Sequence, residues 1–312
     1  MISEKSSPGD NRYRSFDSYM KETFGKKGVR AALDGGFGCP NRDADGNGGC
    51  IYCSSRHYGI HGMSLSAQYD IQRAKLMKKW GSDVIWLPYL QSGCSTFSDI
   101  GTLERIYSET LDLPGAGGLI VATRADCVTD ETADLLKRIN SSHFLIVELG
   151  MQTAHDRTLK LINRRETHED FIRGYKKLAG IMTVIHIIDG LPGEDKDDML
   201  STADELASLS PFGVKIHMLH VLKGTKLASM YLGGEFDLPD EKTYVSTVVS
   251  QLRRLPAETV ICRLTGDGWS DELIAPDWTR NKFRVLNDID AEMRRLGCRQ
   301  GDMCGVTPAG HW

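Results

Sequence analysis

Three cysteines lie close together near the start of the chain. Cys39, Cys50 and Cys53 occur in the segment LDGGFGCPNRDADGNGGCIYCSS, with the spacing C-x10-C-x2-C. Cysteine thiolates are the usual protein ligands of iron–sulfur clusters. Three of them can hold three irons of a [4Fe-4S] cluster and leave the fourth iron open to a second molecule. The spacing therefore indicates a redox site with one free coordination position.

The same segment is compatible with other metals. Zinc could be bound by the three cysteines together with His57. The run 43–48 resembles the start of a calcium loop, but its twelfth position is Ser54, where calcium needs a bidentate acidic side chain. Calcium is therefore rejected, whereas zinc stays open as an alternative.

The overall composition is that of an ordinary globular protein. The chain has 312 residues, of which 40% are hydrophobic and 26% charged, and its net charge is -4. This charge argues against a globally basic nucleic-acid binder but leaves room for a local basic patch. No apolar run approaches the ~20 residues of a membrane span, and residues 1–16 lack the apolar core of a signal peptide. We therefore expect a cytoplasmic protein without membrane contact, in which cysteines are reduced or bind metal.

Apolar runs of strand type alternate with helical patterns along the first two thirds of the chain. The strand-like runs are residues 29–34, 84–90, 118–123, 143–150, 182–189 and 213–219. Helices are expected at about 64–80, 99–111, 130–139, 155–180 and 196–209. Continuous Val, Ile and Leu runs in a βα rhythm are typical of parallel strands covered on both faces. The pattern predicts an α/β fold, a partial (β/α)6 TIM-like barrel, with its chemistry at the carboxyl ends of the strands.

The pattern changes after residue 220. Residues 221–240 look irregular, helices are expected at about 240–254 and 279–296, and a short strand is expected at 260–264. We interpret the chain as an N-terminal segment (1–28), the partial barrel (29–220) and a C-terminal α/β extension (221–312) packed on the barrel.

Polar residues stand at the ends of the later strands. Glu148 and Gln152 end the fourth run with the same strand parity, so both should face the same side. His217 and His220 end the sixth run with opposite parity, so both can face the barrel only if the strand ends between them. With His186 and Lys223 they are candidates for substrate contact, although a lone histidine on an apolar strand is commonly a core residue.

Two further pairs of cysteines have no clear assignment. Cys94 and Cys127 lie near the expected strand ends, where a substrate-facing role is possible. Cys298 and Cys304, spaced C-x5-C, could hold an auxiliary metal, but small buried or incidental thiols are the simpler interpretation.

Several segments in a fixed order resemble a known family. They are LDGGFGCPNRD…GGCIYC, ATRADCV, ELGMQTAHDRTLKLINR, DGLPGE, VKIHMLHVLKGTKLA and LIAPDWTRNK. They resemble the YhcC-like branch of the radical S-adenosylmethionine (SAM) enzymes, which is related to the radical SAM domain of the Elongator catalytic subunit. The resemblance runs from about Arg12 to about Lys282.

This resemblance implies a radical SAM type of barrel with a [4Fe-4S] cluster on Cys39, Cys50 and Cys53. SAM would bind the open iron, and one electron would cleave it to a 5′-deoxyadenosyl radical that abstracts hydrogen from a substrate. The cluster would need an electron donor such as flavodoxin or ferredoxin.

Six residues are expected to contact the cofactor. Tyr52 lies between two of the cysteines and so must be near any ligand of the open iron. Glu148 and Gln152 could bind the ribose or amino group, and Arg164 could pair with the carboxylate. The turn containing Gly190 and Pro192 offers backbone groups near the adenine.

The substrate is suggested only by the resemblance, which favours a transfer RNA wobble uridine. A small metabolite or a protein stays open as a substrate. The alternative from a different class is a zinc-stabilised RNA-binding or scaffold protein without catalysis.

Overall fold

A parallel sheet forms the centre of the protein. The computed structural model describes residues 12–43, 45–54, 62–266 and 271–305. In chain order the strands are β1 Lys27–Leu33, β2 Val84–Leu90, β3 Leu119–Thr123, β4 Leu145–Gln152, β5 Met182–Asp189, β6 Gly213–Met218, β7 Val221–Leu222, β8 Val260–Arg263 and β9 Leu273–Ala275. Seven of them pair in parallel in the order β1-β2-β3-β4-β5-β6-β8, and β7 pairs with β9 in a small antiparallel sheet.

Helices follow most of the strands and cover the outer face of the sheet. They are α1 Phe16–Phe24, α2 Leu65–Trp80, α3 Ile100–Leu111, α4 Asp130–Asn140, α5 Asp156–Leu161, α6 His168–Lys177, α7 Lys196–Leu209, α8 Lys226–Leu232, α9 Glu241–Arg254 and α10 Lys282–Leu296. Short 3-10 turns lie at Ala125–Cys127 and Asp277–Arg280. The predicted α/β partial barrel is confirmed, and its sheet has a seventh strand. No helix in the described ranges is long and apolar enough to cross a membrane.

The sequence marks where helices begin through side chains that cap free N–H groups. The Thr129 side chain accepts a hydrogen bond from the backbone of Thr132 at the start of α4. At the start of α7, Asp195 and Asp198 each bond the other's backbone N–H in a capping box. These local signals explain why the helix starts near residues 130 and 196 could be predicted.

Two expectations about helices were wrong. The single helix expected at 155–180 is two helices, α5 and α6, because Asn163 and Arg165 adopt left-handed backbone angles with φ of 54° each. The segment 221–240, expected to be irregular, contains β7 and α8. Arg164 lies in the break between α5 and α6 and is buried.

The inner face of the sheet is built in layers along the strands. Near the amino ends, apolar residues of the strands pack around Phe16 and Met20 of α1, which fill the base of the barrel. Two residues further along the strands comes a layer of polar side chains that includes Tyr89, Glu148 and Lys215. The carboxyl ends of the strands, above this layer, surround a cavity.

The C-terminal extension shares the main sheet. Its run 260–264 forms β8, which pairs with β6 as the last strand. At the edge of β8, the Ile261 N–H donates to the Arg14 carbonyl at 2.7 Å, and α1 packs against both β1 and β8. The segment before β1 therefore bridges the two open edges of the sheet.

We predict that Gly93→Ala destabilises the fold more than Gly36→Ala. Both glycines have positive φ, 68° and 76°, so alanine should cost about 1–2 kcal/mol of backbone strain at either position. A methyl group at Gly93 would also lie 2.1 Å from the Phe37 carbonyl oxygen, whereas at Gly36 it meets no atom within 4 Å. Urea unfolding of both variants measures the difference, and equal losses of unfolding free energy would contradict the close approach.

Candidate active site at the carboxyl ends of the strands

The cysteine loop follows β1 and is tied to three other parts of the site. The Ile51 N–H donates to the Ile162 carbonyl at 3.0 Å, and the Ile51 carbonyl accepts from Leu227 at 2.9 Å. The Cys94 N–H donates to the Gly38 carbonyl at 2.8 Å. The break after α5, the start of α8 and the turn after β2 therefore fix the loop from three directions.

The three cysteines of the loop have different surroundings. Cys39 is half-buried, Cys50 is buried and Cys53 is exposed. Cys53 lines the cavity at the carboxyl ends of the strands together with its neighbours Tyr52 and Ser54. The loop thus has one buried cysteine, Cys50, and one cysteine that lines the cavity, Cys53.

Polar groups surround the sulfur of Cys50. The Asn41 side-chain amide donates to it at 3.5 Å, and Tyr52 and the Arg164 guanidinium lie close enough to influence its charge. A hydrogen bond from the Cys53 thiol, together with the charge of Arg164, lowers the pKa of Cys50 despite its burial. The lowered pKa favours the thiolate form of Cys50, which is the form that binds metals.

A buried ionic layer lies behind the cysteine loop. Arg164 pairs with Glu166 at 2.8 Å and donates to the Gly150 carbonyl at 2.6 Å. Arg124 pairs with Asp126 at 2.6 Å and donates to the Arg164 carbonyl at 3.0 Å. Each guanidinium has its own carboxylate, which makes burial of both charges tolerable.

The cavity beside Cys53 has a volume of about 270 Å³. Its wall has no charged side chain if the histidines are neutral, and it combines aromatic, imidazole, amide, hydroxyl and aliphatic groups. The lining residues are Tyr52, Cys53, Ser54, Gln152, His186, Ile188, His217, Met218, Leu219, His220 and Leu222. Besides Cys53, five expected site residues therefore line this cavity: Tyr52, Gln152, His186, His217 and His220.

Glu148 lies beneath the cavity at the centre of the polar layer. It accepts hydrogen bonds from Tyr89, Lys215 and His186, the last at 3.0 Å, and lies 3.6 Å from the Arg30 guanidinium. Burial alone would raise the pKa of Glu148, but the charges of Lys215 and Arg30 outweigh it and hold the pKa well below its usual range. Glu148 is thus an ionised anchor for side chains from four other strands.

The histidines at the ends of β5 and β6 form one wall of the cavity. The rings of His186 and His217 stack with their centroids 5.6 Å apart. Since β6 ends at Met218, His217 and His220 can both line the cavity, as the parity argument requires. The buried Nε2 of His217 has no hydrogen-bond partner among the residues that the structure describes. Burial lowers the pKa of His186 to about 4 and lowers that of His217 as well.

The other expected site residues lie at different distances from the cavity. Gln152 lines it with a left-handed φ of 70°, at a bulge between β4 and β5. Gly190 and Pro192 are buried in the turn after β5 and are not among the lining residues. Lys223 is exposed outside the cavity and donates to the Asp271 carbonyl at 2.9 Å.

The remaining cysteines are separate from the cavity. The Cys94 sulfur lies 2.9 Å from the Thr123 hydroxyl and hydrogen-bonds to Cys127, so these two thiols form a buried pair next to the loop. Cys298 is buried, and its sulfur lies 3.6 Å from the Met293 carbonyl oxygen.

The described residues contain no group of three His, Cys, Asp or Glu side chains already placed around one metal ion. A cluster spreads its thiolate ligands over several irons, so it does not need this close convergence. His57, the fourth ligand of the zinc alternative, lies outside the described residues.

Two contacts of the site could not be predicted from the sequence: that of Asn41 with Cys50, and that of Tyr89 with Lys215. Asn41 stands in a glycine-rich loop in which no pattern marks it as a partner of Cys50. Tyr89 and Lys215 are 126 residues apart and meet only because the sheet brings β2 and β6 around the same centre. Their positions on the inner face were the one available signal.

We predict that replacing His186 by glutamine flattens the pH dependence of stability. The unfolded chain gains a proton on this histidine near its ordinary pKa of 6.5, whereas the folded chain does so only near 4. The unfolding free energy should therefore fall on acidification between these values, by up to about 1.4 kcal/mol per pH unit for this proton. Urea unfolding at several pH values measures it.

Glutamine can still donate a hydrogen bond to Glu148, but it does not titrate. The variant should therefore lose the part of the pH dependence of the unfolding free energy that comes from His186. His143→Gln is the control because His143 is exposed. Parallel pH profiles for His186→Gln and the unmodified chain would contradict the assignment.

Comparison with known proteins agrees with this geometry. The sequence model of the Radical SAM superfamily matches residues 36–206, and that of the Radical_SAM C-terminal domain matches residues 211–295. YtqA of Bacillus subtilis (strain 168) is 38% identical over 299 residues, which cover 94% of this chain and 92% of YtqA. YhcC of Escherichia coli (strain K12) is 31% identical over 297 residues, or 93% and 94% of the two chains.

Two archaeal proteins are similar in part. A tRNA uridine(34) acetyltransferase of Methanocaldococcus jannaschii is 29% identical over 190 residues, 59% of this chain and 31% of that protein. The structure of Methanocaldococcus infernus Elp3 has the same fold, with a TM-score of 0.65 and 18% identity over 88% of this chain and 64% of that one. With the superfamily match spanning more than half of its residues, the chain belongs to the radical SAM superfamily and is a radical SAM enzyme.

Proposed function

We propose that Cys39, Cys50 and Cys53 hold a [4Fe-4S] cluster and that SAM binds beside it in the cavity at the carboxyl ends of the strands. The observation that carries the proposal is the position of Cys53, whose residue lines the cavity while Cys50 is buried among hydrogen-bond donors. A cluster held by this loop would present its open iron to the cavity. The family implies both cofactors, and the donor set of three thiols on one loop fits them.

When bound, these cofactors supply a 5′-deoxyadenosyl radical that abstracts a hydrogen atom. The protein's part is to position the reactants and to exclude water from them. Tyr52 and Gln152 are the residues we assign to direct SAM contact, because both line the cavity next to Cys53. Four other expected residues would support the site without touching SAM. Glu148 and Arg164 fix side chains of the site, and the turn that contains Gly190 and Pro192 supports the cavity wall.

The substrate should enter along the histidine wall. His186, His217 and His220 line the cavity on the side formed by β5 and β6. The buried Nε2 of His217 has no hydrogen-bond partner among the described residues, and such groups are costly to leave unpaired. A bound ligand would supply the missing hydrogen bond. Lys223 lies outside the cavity, where it could contact a large substrate at the entrance.

The substrate that the relatives favour is transfer RNA, at the wobble uridine. The support is the partial similarity to a tRNA uridine(34) acetyltransferase, together with the fold shared with Elp3. The uncharged cavity wall is compatible with a neutral base, which would have to leave its stack to reach a buried site. A one-electron donor such as flavodoxin or ferredoxin, and a cytoplasmic location, are parts of the same proposal.

The first test is SAM cleavage by the reconstituted enzyme. After anaerobic reconstitution, the protein should form 5′-deoxyadenosine from SAM when dithionite is added. Cys39→Ala, Cys50→Ala and Cys53→Ala should each abolish the product, whereas Cys298→Ala, a buried cysteine far from the loop in sequence, should not. No product from the unmodified protein with a full cluster would sink the radical mechanism, and zinc in place of iron would favour the scaffold alternative.

The second test concerns the substrate. Transfer RNA from a strain lacking the gene should lose one modified wobble nucleoside that returns with the intact gene but not with its Cys50→Ala form. Nucleoside analysis by mass spectrometry measures it. Identical nucleosides in the deletion and parent strains would remove tRNA as the substrate and leave SAM cleavage untouched.

A further inference from the structure

The sulfur of Cys50 differs from the other two sulfurs of the loop in its hydrogen-bond donors. We propose that Asn41 tunes the reduction potential of the cluster by donating a hydrogen bond to the sulfur of Cys50, with Arg164 adding its positive charge. Asn41 is thus a positioning and tuning residue that does not touch the substrate. The inference rests on the proposed function because it presupposes that Cys50 is a cluster ligand.

The side chain of Asn41 is fixed in the orientation that this role requires. It is 3% exposed, and its amide nitrogen lies 2.6 Å from the Asn163 carbonyl oxygen and 3.5 Å from the Cys50 sulfur. An amide NH₂ has two donor hydrogens, so one can bond each acceptor. The Asn163 carbonyl also excludes the flipped amide, in which two oxygens would face each other.

The break between α5 and α6 creates this arrangement. Asn163 has a left-handed backbone, which ends α5 and directs its carbonyl towards Asn41. Its own side chain donates to the Gly49 carbonyl at 2.7 Å, and the Gly49 N–H donates to the Asn41 carbonyl at 2.7 Å. Asn163 and Gly49 therefore hold the Asn41 amide against the sulfur of Cys50.

The electrostatic effect follows from the charge of the reduced cluster. Reduction adds one electron, so the reduced form is more negative than the oxidised form and gains more from nearby donors and cations. Hydrogen bonds to the sulfurs and net local charge are among the factors that set cluster potentials. Arg164 is 6% exposed, so water screens its charge only weakly. Both groups should make the cluster easier to reduce.

Asn41 and Arg164 also leave the cavity clear, because neither is among its lining residues. Asn41 is buried and is not among the residues that line the cavity, whereas Cys53 is. The open iron can therefore bind a ligand without competing for the hydrogen bonds to Cys50. The loop separates the side that tunes the cluster from the side that binds the cofactor.

The test is the midpoint potential of the cluster in Asn41 variants of the full-length, reconstituted protein. Asn41→Leu removes the donor at nearly constant volume, and Asn41→Asp replaces it with a carboxylate of the same shape. Redox titration followed by electron paramagnetic resonance should give a more negative midpoint potential for Asn41→Leu, and a larger shift in the same direction for Asn41→Asp. Iron and sulfide contents establish that each variant carries a complete cluster.

Asn47→Leu is the matched control because Asn47 is an exposed asparagine of the same loop. Arg42→Gln controls for charge: Arg42 donates to the carbonyls of Gly46, Cys53 and Ser54, whereas Arg164→Gln removes a buried charge that acts on the Cys50 thiol. Asn47→Leu should keep the original potential, and Arg42→Gln should shift it less than Arg164→Gln.

The outcomes separate this inference from the proposed function. Unchanged potentials in both Asn41 variants with complete clusters would overturn the tuning role alone, as would an equal shift in Asn47→Leu. An unmodified protein that takes up iron without the spectrum of a [4Fe-4S] cluster would overturn the proposed function and this inference with it. If one Asn41 variant fails to assemble a cluster, the potential of the other decides.

Discussion

The inner face of the sheet is organised around one buried carboxylate, Glu148, whose negative charge needs partners from several strands. Glu148 on β4 receives a charge or hydrogen bond from Arg30, Tyr89, His186 and Lys215, which belong to β1, β2, β5 and β6. Breaking a buried ion pair by removing one partner typically costs about 3–5 kcal/mol, because the remaining charge is left without compensation. The strands are therefore held in a register that keeps these groups together, and His186 is fixed as part of the cavity wall.

The cysteine loop depends on a different constraint: its backbone lies in close contact with the backbone of neighbouring segments. Gly93 allows the turn after β2 to press against the carbonyl groups of Phe37 and Gly38. The residues that follow α5 supply two acceptors: the Asn163 carbonyl accepts from Asn41, and the Ile162 carbonyl accepts from Ile51. The loop itself has little regular structure, so its shape is imposed by these neighbours. The placement of the three cysteines thus rests on segments far away in the sequence.

The sequence predicted well what depends on local patterns. The runs 84–90 and 182–189 coincide with β2 and β5, because continuous apolar residues between turn signals have few alternatives to a buried strand. The spacing of the three cysteines drew attention to a loop whose residues Tyr52 and Cys53 line the cavity. The break at Asn163 was missed because the flanking residues favour helix, and two left-handed angles are decided by tertiary contacts. The partners of Glu148 were missed because they come from separate strands. The strand at 260–264 was predicted, but its place in the main sheet was missed because pairing with β6 is a long-range contact.

The bridge between the two edges of the sheet has a consequence for how the chain folds. The Arg12 guanidinium donates to the Cys298 carbonyl, 286 residues away, and Arg14 joins the strand that is last in the sheet. Closing so long a loop is entropically unfavourable until most intervening contacts exist. During synthesis, the segment that seals the base of the barrel must therefore wait for nearly the whole chain to emerge. The concave core should remain open to water until then, so a nascent chain of this kind exposes apolar surface longer than a protein built from local contacts.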